Sequence, residues 1–395
     1  MSILLSERSS CVRPSPTLVV TAKAAKLRAE GKDVIGLGAG EPDFDTPEHI
    51  KAAAIAAIES GFTKYTAVDG IAELKQAIQS KFKRDNKFDF NLNQILVSVG
   101  GKHSCFNLCQ ALLNKGDEAI IPAPYWVSYP DIVLLAGGVP VIVEANIVNS
   151  FKITKEQLAK AITPKTKLFW INSPSNPSGI AYTLDELKAL AAVLEKHPQI
   201  VIATDDMYEH IIWSQPFCNI LNAAPQLKDR TIVLNGVSKA YAMTGWRIGY
   251  AAGPIELITA MTTIQSQATS NPCSIAQKAA VAALNGDQEC VAQMLEAFHD
   301  RHDYVVERLL EIPGIEVKPA DGTFYLFPSV AQLIEQKGFA NDIAFAEALL
   351  HDVGVAMVPG SAFGTPGCIR LSFATSMNLL REALDRLERF CLRGN

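Results

Sequence analysis

The chain has 395 residues, 48% of them hydrophobic and 19% charged, with a formal net charge of −5. This composition is enough for a large core shared by two domains and excludes a disordered chain, and the acidic balance argues against a nucleic-acid-binding surface. No apolar run reaches the roughly 18 residues that a membrane span needs.

Met1 to Ser10 carries Glu7 and Arg8 and no long apolar stretch, so it does not read as a secretory signal. The first helical pattern spans Asp45 to Gly61. Thr46 is its expected N-cap, Pro47 suits the first turn, Gly61 stops it, and Ile50, Ala54, Ile55 and Ile58 share one face. Ser80-Lys81 reads as part of a solvated helix face. The apolar run Ile95 to Val99 is followed by Gly100-Gly101-Lys102 and a second helical pattern, a context in which backbone N–H groups at a helix start bind phosphate. Cys105 and Cys109 lie one helical turn apart, but no histidine or second cysteine pair completes a metal site. The eight cysteines are scattered and read as free thiols of a reducing cytoplasm, and no metal is expected.

Further along, Glu118 to Pro122, Val139 to Glu144, Lys167 to Asn172, Ile200 to Thr204, Thr231 to Leu234 and Ile248 to Ala252 are short apolar runs. Continuous rather than alternating apolarity predicts parallel strands covered on both faces. Between them, Thr183 to Lys196 is a helix with Thr183 and Glu186 as a capping box. Strands alternating with helices imply an α/β fold with a mostly parallel central sheet, and ligands in such sheets bind beyond the carboxyl ends of the strands. Asn176, Asp205 and Lys239 each follow a predicted strand.

Lys239 is the most informative of these. It leaves the strand Thr231 to Leu234 in a turn beginning Asn235-Gly236-Val237-Ser238. A lysine desolvated there has a lowered pKa and a nucleophilic amine that can hold an aldehyde. Ser238 and Arg247 are placed to grip a phosphate, the arginine through its planar fork. Aldehyde and phosphate together point to pyridoxal 5'-phosphate (PLP).

The segment from Asn235 to Gly249 resembles the lysine motif of the fold-type I PLP enzymes, specifically the class I aminotransferases. Other segments agree in the family's order: Ala39 to Pro47, Lys64-Tyr65, Val99 to Lys102, Pro124 to Pro130, Asn172 to Gly179, Asp205 to His210 and Ile369 to Ala374. They run from about residue 13 to the carboxyl terminus. Within the family, the chain most resembles the bacterial aspartate aminotransferases of the subgroup that also holds aspartate/prephenate aminotransferases.

The resemblance implies a large PLP-binding domain over residues 46–310 and a small, discontinuous α/β domain from 1–45 and 311–395. It implies that Asp205 pairs with the pyridine nitrogen, that Tyr208 and Asn176 donate to the ring oxygen, and that Trp126 stacks on the ring. Gly101, Lys102, Ser238 and Arg247 surround the phosphate, and Tyr65 reaches the phosphate of a second subunit, so that a homodimer shares its sites. Arg370 holds the substrate α-carboxylate, beside Gly40, Trp126 and Asn176. Lys102 and Arg13 match positions linked to the distal carboxylate of acidic substrates. His103 departs from the glutamine expected in relatives. The activity implied is ping-pong transamination of L-aspartate with 2-oxoglutarate, extending to prephenate, with Lys239 carrying the α-proton. Aminotransferases for aromatic or other amino acids, and a β-lyase, are alternatives on the same fold. A ligand-sensing domain of a transcription regulator is disfavoured, since only about 12 residues precede the first matching segment.

Overall fold

The computed structural model describes residues 3–393; residues 1–2 and 394–395, the outer ends of the expected small domain and of the Met1 to Ser10 stretch, lie outside the described residues. In chain order the strands are β1 (Ile35–Gly36), β2 (Ile95–Val99), β3 (Glu118–Ala123), β4 (Val139–Glu144), β5 (Thr166–Asn172) and β6 (Val201–Asp205). They continue with β7 (Thr231–Gly236), β8 (Ile248–Ala252), β9 (Tyr325–Leu326), β10 (Val355–Ala356), β11 (Val358–Pro359) and β12 (Ile369–Ser372). A seven-stranded sheet has the order β2-β8-β7-β6-β5-β3-β4, and β3 to β7 pair in parallel. The expected α/β class is therefore what the chain adopts. No helix of the described residues is long and apolar enough to cross a membrane.

The sheet is apolar on both faces because successive residues of a strand point to opposite sides. Phe169, Ile171, Ile202 and Val233 enter one core, whereas Leu168, Trp170, Ala203 and Ile232 enter another. Two strands depart from expectation. β8 is antiparallel to both β2 and β7, although all its residues are buried. Continuous apolarity reports cover on both faces, and an antiparallel strand inside a helix-covered sheet satisfies it equally. β4 is an edge strand, with Val139 45% and Ile142 37% exposed.

The helices also correct some local readings. The capping box at Thr183 is formed: Glu186 donates its N–H to Thr183 Oγ1 at 3.3 Å and Glu186 Oε2 accepts the Thr183 N–H at 2.7 Å. The first predicted helix runs Glu48–Glu59, and Thr46 does not cap it. The Thr46 hydroxyl instead donates to the Ala242 carbonyl at 2.7 Å and accepts Trp246 Nε1 at 2.9 Å. Its buried face is Ile50, Ala54 and Ala57, while Ile55 and Ile58 are each 54% exposed.

Lys81 is the largest reversal. It ends the helix Ala72–Lys81, is 1% exposed, and is ion-paired with Glu209. The wide π turn Phe82–Asn86 that follows brings Asn86 back, so that its Oδ1 accepts Lys81 Nζ at 2.7 Å and its Nδ2 donates to Glu209 at 2.8 Å.

A further apolar cluster joins Ile35 and Leu37 to residues from the last third of the chain, including Phe324, Phe345, Leu371 and Leu384. β1 pairs with β10, and β11-β12-β9 form an antiparallel sheet that carries Arg370. The strand β12 therefore lies beside the carboxyl ends of the large sheet, with Leu37 accepting the Ser372 N–H at 2.7 Å.

Candidate active site

A cavity of about 440 Å³ lies where β5, β6 and β7 end. Its lining holds most of the residues singled out from sequence: Gly40, Gly101, Lys102, Trp126, Asn176, Asp205, Tyr208, Ser238, Lys239, Arg247 and Arg370. Segments far apart in the chain meet there because each follows the carboxyl end of a strand in one sheet. Tyr65 and Arg13 do not line it. Tyr65 is 92% exposed, and Arg13 is exposed on the amino-terminal segment.

Lys239 lies on the cavity floor, and its amine donates to the Gly40 carbonyl. No carboxylate of the described residues lies within ion-pair distance of it. Burial pushes its pKa down to about 8, with the charges of Arg370 and Arg247 acting in the same direction and those of Glu41 and Asp205 opposing. The amine is thus free within reach of neutral pH, as a nucleophile or proton carrier requires.

Asp205 closes β6 and is buried. Its Oδ2 accepts Tyr129 Oη at 2.5 Å and its Oδ1 accepts the Met207 N–H at 3.2 Å. Burial raises its pKa, and these hydrogen bonds pull it back. Tyr129 was not foreseen. It stacks on Trp170 at 4.6 Å, stands edge-on to Trp126 at 5.3 Å, and so links the ring that faces the cavity to the carboxylate at its floor. The signal for it was present in the sequence, three residues beyond Trp126 in the same quoted segment, but nothing local identified its partner.

Arg370 is 2% exposed. One amino group donates to Asn176 Oδ1 at 2.9 Å, the other to the Gly38 carbonyl at 2.7 Å, and the guanidinium lies 4.4 Å from the Tyr325 ring. Its Nε has no hydrogen-bond partner among the described residues. With Asn176 Oδ1 committed to Arg370, the Asn176 amide N–H₂ is left to donate. Asn172 ties the floor together: Nδ2 donates to the Asp205 carbonyl and Oδ1 accepts the Asn176 N–H, both at 2.8 Å. The Tyr208 and Tyr325 hydroxyls meet at 3.2 Å, and burial pushes both phenols up, so both are neutral.

The glycine turn before the helix Gly101–Leu112 is packed tightly. A Cβ on Gly100, whose φ is +80°, would come within 2.3 Å of Arg247 Nη2, and one on Gly101 within 2.5 Å of Met207 Cε. The positive φ of Gly100 is a conformation that L side chains rarely adopt, so the turn into this helix favours glycine there. Arg247 Nη1 donates to the Thr244 carbonyl at 2.8 Å. Lys102 is exposed at the mouth, 5.1 Å from the Trp126 ring. His103, next to it, turns away: its Nδ1 accepts the Val99 N–H at 3.3 Å, and burial lowers its pKa, leaving a neutral ring that packs on Phe106.

His299, His302 and Asp303 come close enough together to suggest a metal. The bonding argues otherwise. His302 Nε2 accepts the Ala320 N–H at 2.9 Å, so Nδ1 carries the proton, donates it to Asp303 at 2.8 Å, and has no lone pair to offer.

Comparisons with known proteins agree with this geometry. The family model "Aminotransferase class I and II" matches residues 32–387. The chain is 62% identical over 390 residues to an aspartate/prephenate aminotransferase of Nitrosomonas europaea, covering 97% of this chain and 98% of that protein. It is 50% identical over 387 residues to the aspartate aminotransferase of Bacillus subtilis, covering 98% of each. Among solved structures, it superposes on the aspartate aminotransferase of Rhizobium meliloti with a TM-score of 0.94 at 47% identity, covering 99% of both chains. It superposes on the Thermus thermophilus enzyme with maleate at a TM-score of 0.93 and 42% identity, covering 98% of this chain and 100% of that one.

Proposed function

The chain belongs to the class I and II aminotransferase family, and on that premise we propose that it is an aspartate aminotransferase. In this reading it passes the amino group of L-aspartate to 2-oxoglutarate in two half-reactions and takes prephenate as a further acceptor. The relatives named for these substrates, and the one solved with maleate, a dicarboxylate, support the reading.

The donor set fits PLP. It offers an amine, a buried carboxylate facing the cavity, an aromatic face, and a hydroxyl, a guanidinium and a helix start on one side. When bound, PLP supplies an aldehyde to carry the amino group and a ring that draws electrons from the substrate α-carbon. The protein's own residues do the rest. Ser238, Arg247 and the backbone at Gly101 hold the phosphate, with Lys102 beside them. Trp126 presents its face to the ring, Asp205 pairs with the ring nitrogen, and Tyr208 and Asn176 donate to the ring oxygen. Lys239 takes the α-proton and returns it. Arg370 fixes the α-carboxylate next to Gly40, Trp126 and Asn176, while Lys102 and Arg13 attract the distal one.

Tyr65, turned outward, would complete the phosphate site of a second copy of the chain, which makes a homodimer the working form. The division into a domain of residues 46–310 and a discontinuous one is part of the same proposal. It is supported by the shared core of Ile35 and Leu37 with the last third of the chain.

The single observation that carries the reading is the Lys239 amine. It lies in the cavity that Asp205 and Arg370 also line, with burial lowering its pKa to about 8. The test is to follow the bound cofactor's absorbance on adding aspartate, glutamate, arogenate, tyrosine or alanine. Aspartate and glutamate should change the spectrum far faster than alanine. Lys102→Met should narrow that gap. Equal rates for alanine and aspartate would defeat the specificity, and no change with any amino acid would defeat the activity.

A further inference from the structure

Two carboxylates line the cavity among the described residues, Asp205 at the floor and Glu41 at the wall. Asp205 is held by Tyr129 and the Met207 N–H. Glu41 has no part in the scheme above, yet it is placed with equal care. It directly follows Gly40, whose carbonyl receives the Lys239 amine. Its Oε2 accepts the Thr244 hydroxyl at 2.8 Å, and the Thr244 carbonyl in turn accepts Arg247 Nη1 at 2.8 Å. One short segment therefore touches the lysine through its backbone and the lysine-bearing loop through its side chain.

The groups facing Lys239 come from every element around it. Glu41 comes from the segment after β1, Asp205 from the end of β6, Arg247 from the loop before β8 and Arg370 from β12. Tyr208 and Tyr325 are neutral. Lys102 stands at the cavity mouth. Burial and the two guanidinium groups favour the free amine, and the two carboxylates favour the ammonium. Asp205 is held at the floor by Tyr129 and the Met207 N–H, whereas Glu41 is tied through Thr244 to the loop that carries Lys239.

We infer that Glu41 is a positioning residue for Lys239: clipped to Thr244 on the wall of the cavity that the amine also lines, its carboxylate favours the protonated lysine and raises the pH at which the amine is released to react. Among the charges acting on Lys239, Glu41 makes the largest upward contribution, ahead of Asp205. The inference rests on the reading of Lys239 given above and adds a residue to that same site.

The test uses the full-length protein freed of cofactor. Its lysines are pulse-labelled with acetic anhydride across a range of pH, and modification at Lys239 is quantified by mass spectrometry. Glu41→Gln keeps an acceptor for Thr244 but removes the charge, Glu41→Lys reverses the charge, and Glu41→Asp restores it. The Lys239 midpoint should fall by about half a pH unit in Glu41→Gln and further in Glu41→Lys. It should return toward the wild-type value in Glu41→Asp. The shift should shrink in high salt, because the carboxylate is exposed. With cofactor bound, the pH midpoint of its absorbance should move the same way. A Lys239 midpoint lowered in the wild type but unchanged across the Gln and Lys variants would overturn the role of Glu41 and leave the proposed activity standing. A wild-type Lys239 that titrates like an ordinary surface lysine would overturn the reading of Lys239 itself, and this inference with it.

Discussion

Lys81 and Lys239 each follow a serine, and each leaves water when the chain folds, but their surroundings differ. Lys81 sits in a network of buried polar groups that pair with one another. Glu209 accepts from it, Asn86 accepts from it and donates to Glu209, and Asn235 Nδ2 donates to the other oxygen of Glu209 at 2.7 Å. Around Lys239 the polar groups are left open. Its amine meets a backbone carbonyl, Asp205 looks into a cavity, and Arg370 keeps an unpartnered Nε. Both regions grow from the turn 205–210, which sends Asp205 and Tyr208 to the cavity and Asp206 and Glu209 to the closed network. A saturated buried pair holds a structure in place, since removing either partner strands a charge, whereas an unsaturated cluster holds interactions in reserve for a ligand.

Exchanging the roles of the two lysines is the harshest test of this contrast. Lys239→Ala should lower turnover by about a hundredfold to ten-thousandfold, because in the proposed scheme Arg370 and Asn176 position substrate but cannot carry the proton. Its denaturation midpoint without cofactor should not fall, since no ion pair is broken. Steady-state rates and urea unfolding of the same variant check both halves. Lys81→Met should do the reverse. Leaving Glu209 buried and unpaired should cost about 3–5 kcal/mol of stability by denaturant unfolding. Replacing Glu209 by Leu in that variant should recover part of the loss. A Lys81→Met protein as stable as wild type would erase the distinction.

Tyr129→Phe sharpens the comparison at the boundary between the two regions. It keeps the stack on Trp170 and removes one hydrogen bond to the Asp205 carboxylate, an interaction of about 1.5–3 kcal/mol. Turnover should fall by roughly ten- to a hundredfold with KM little changed, because the substrate contacts proposed for Arg370 are untouched. A pure KM effect would place Tyr129 with the substrate instead.

The smallest effect is a slope in stability against pH. Glu209 is held at about 2, below the ordinary glutamate value of about 4.3, by the charge of Lys81 and its hydrogen bonds acting against burial. A depressed carboxylate contributes stability above its unfolded pKa, and that contribution is lost as pH falls from about 4 toward 2. Asp206 is raised to about 7 by burial and by the charge of Glu209. Its sign is opposite: the folded state binds the extra proton, so stability drains away as pH rises from about 4 to 7. Asp206→Asn, which keeps an oxygen to accept the Thr204 hydroxyl, should remove that decline. Thermal unfolding at a series of pH values in both proteins reads the difference, and parallel curves would count against a titrating Asp206.

What the sequence determined by itself was whatever depends on neighbours along the chain. Apolar runs gave the strands, the Thr183–Glu186 spacing gave a capping box, and the order of short segments gave the family, because these signals need only a few consecutive residues. The placing of Asn176, Asp205 and Lys239 just beyond strand ends was legible for the same reason, since the carboxyl end of a parallel strand is a place that local pattern marks. Everything that depends on a remote partner waited for the tertiary structure. Thr46 bonds to Ala242 rather than capping its helix, β8 runs against its neighbours, and Tyr129 finds Asp205. Lys81, written in the same two letters as Lys239, is claimed by Glu209 from the turn after β6 and by Asn86. Burial and pairing are set by which side chains the fold brings within a few ångströms, and in this chain those partners come from segments far apart in the sequence.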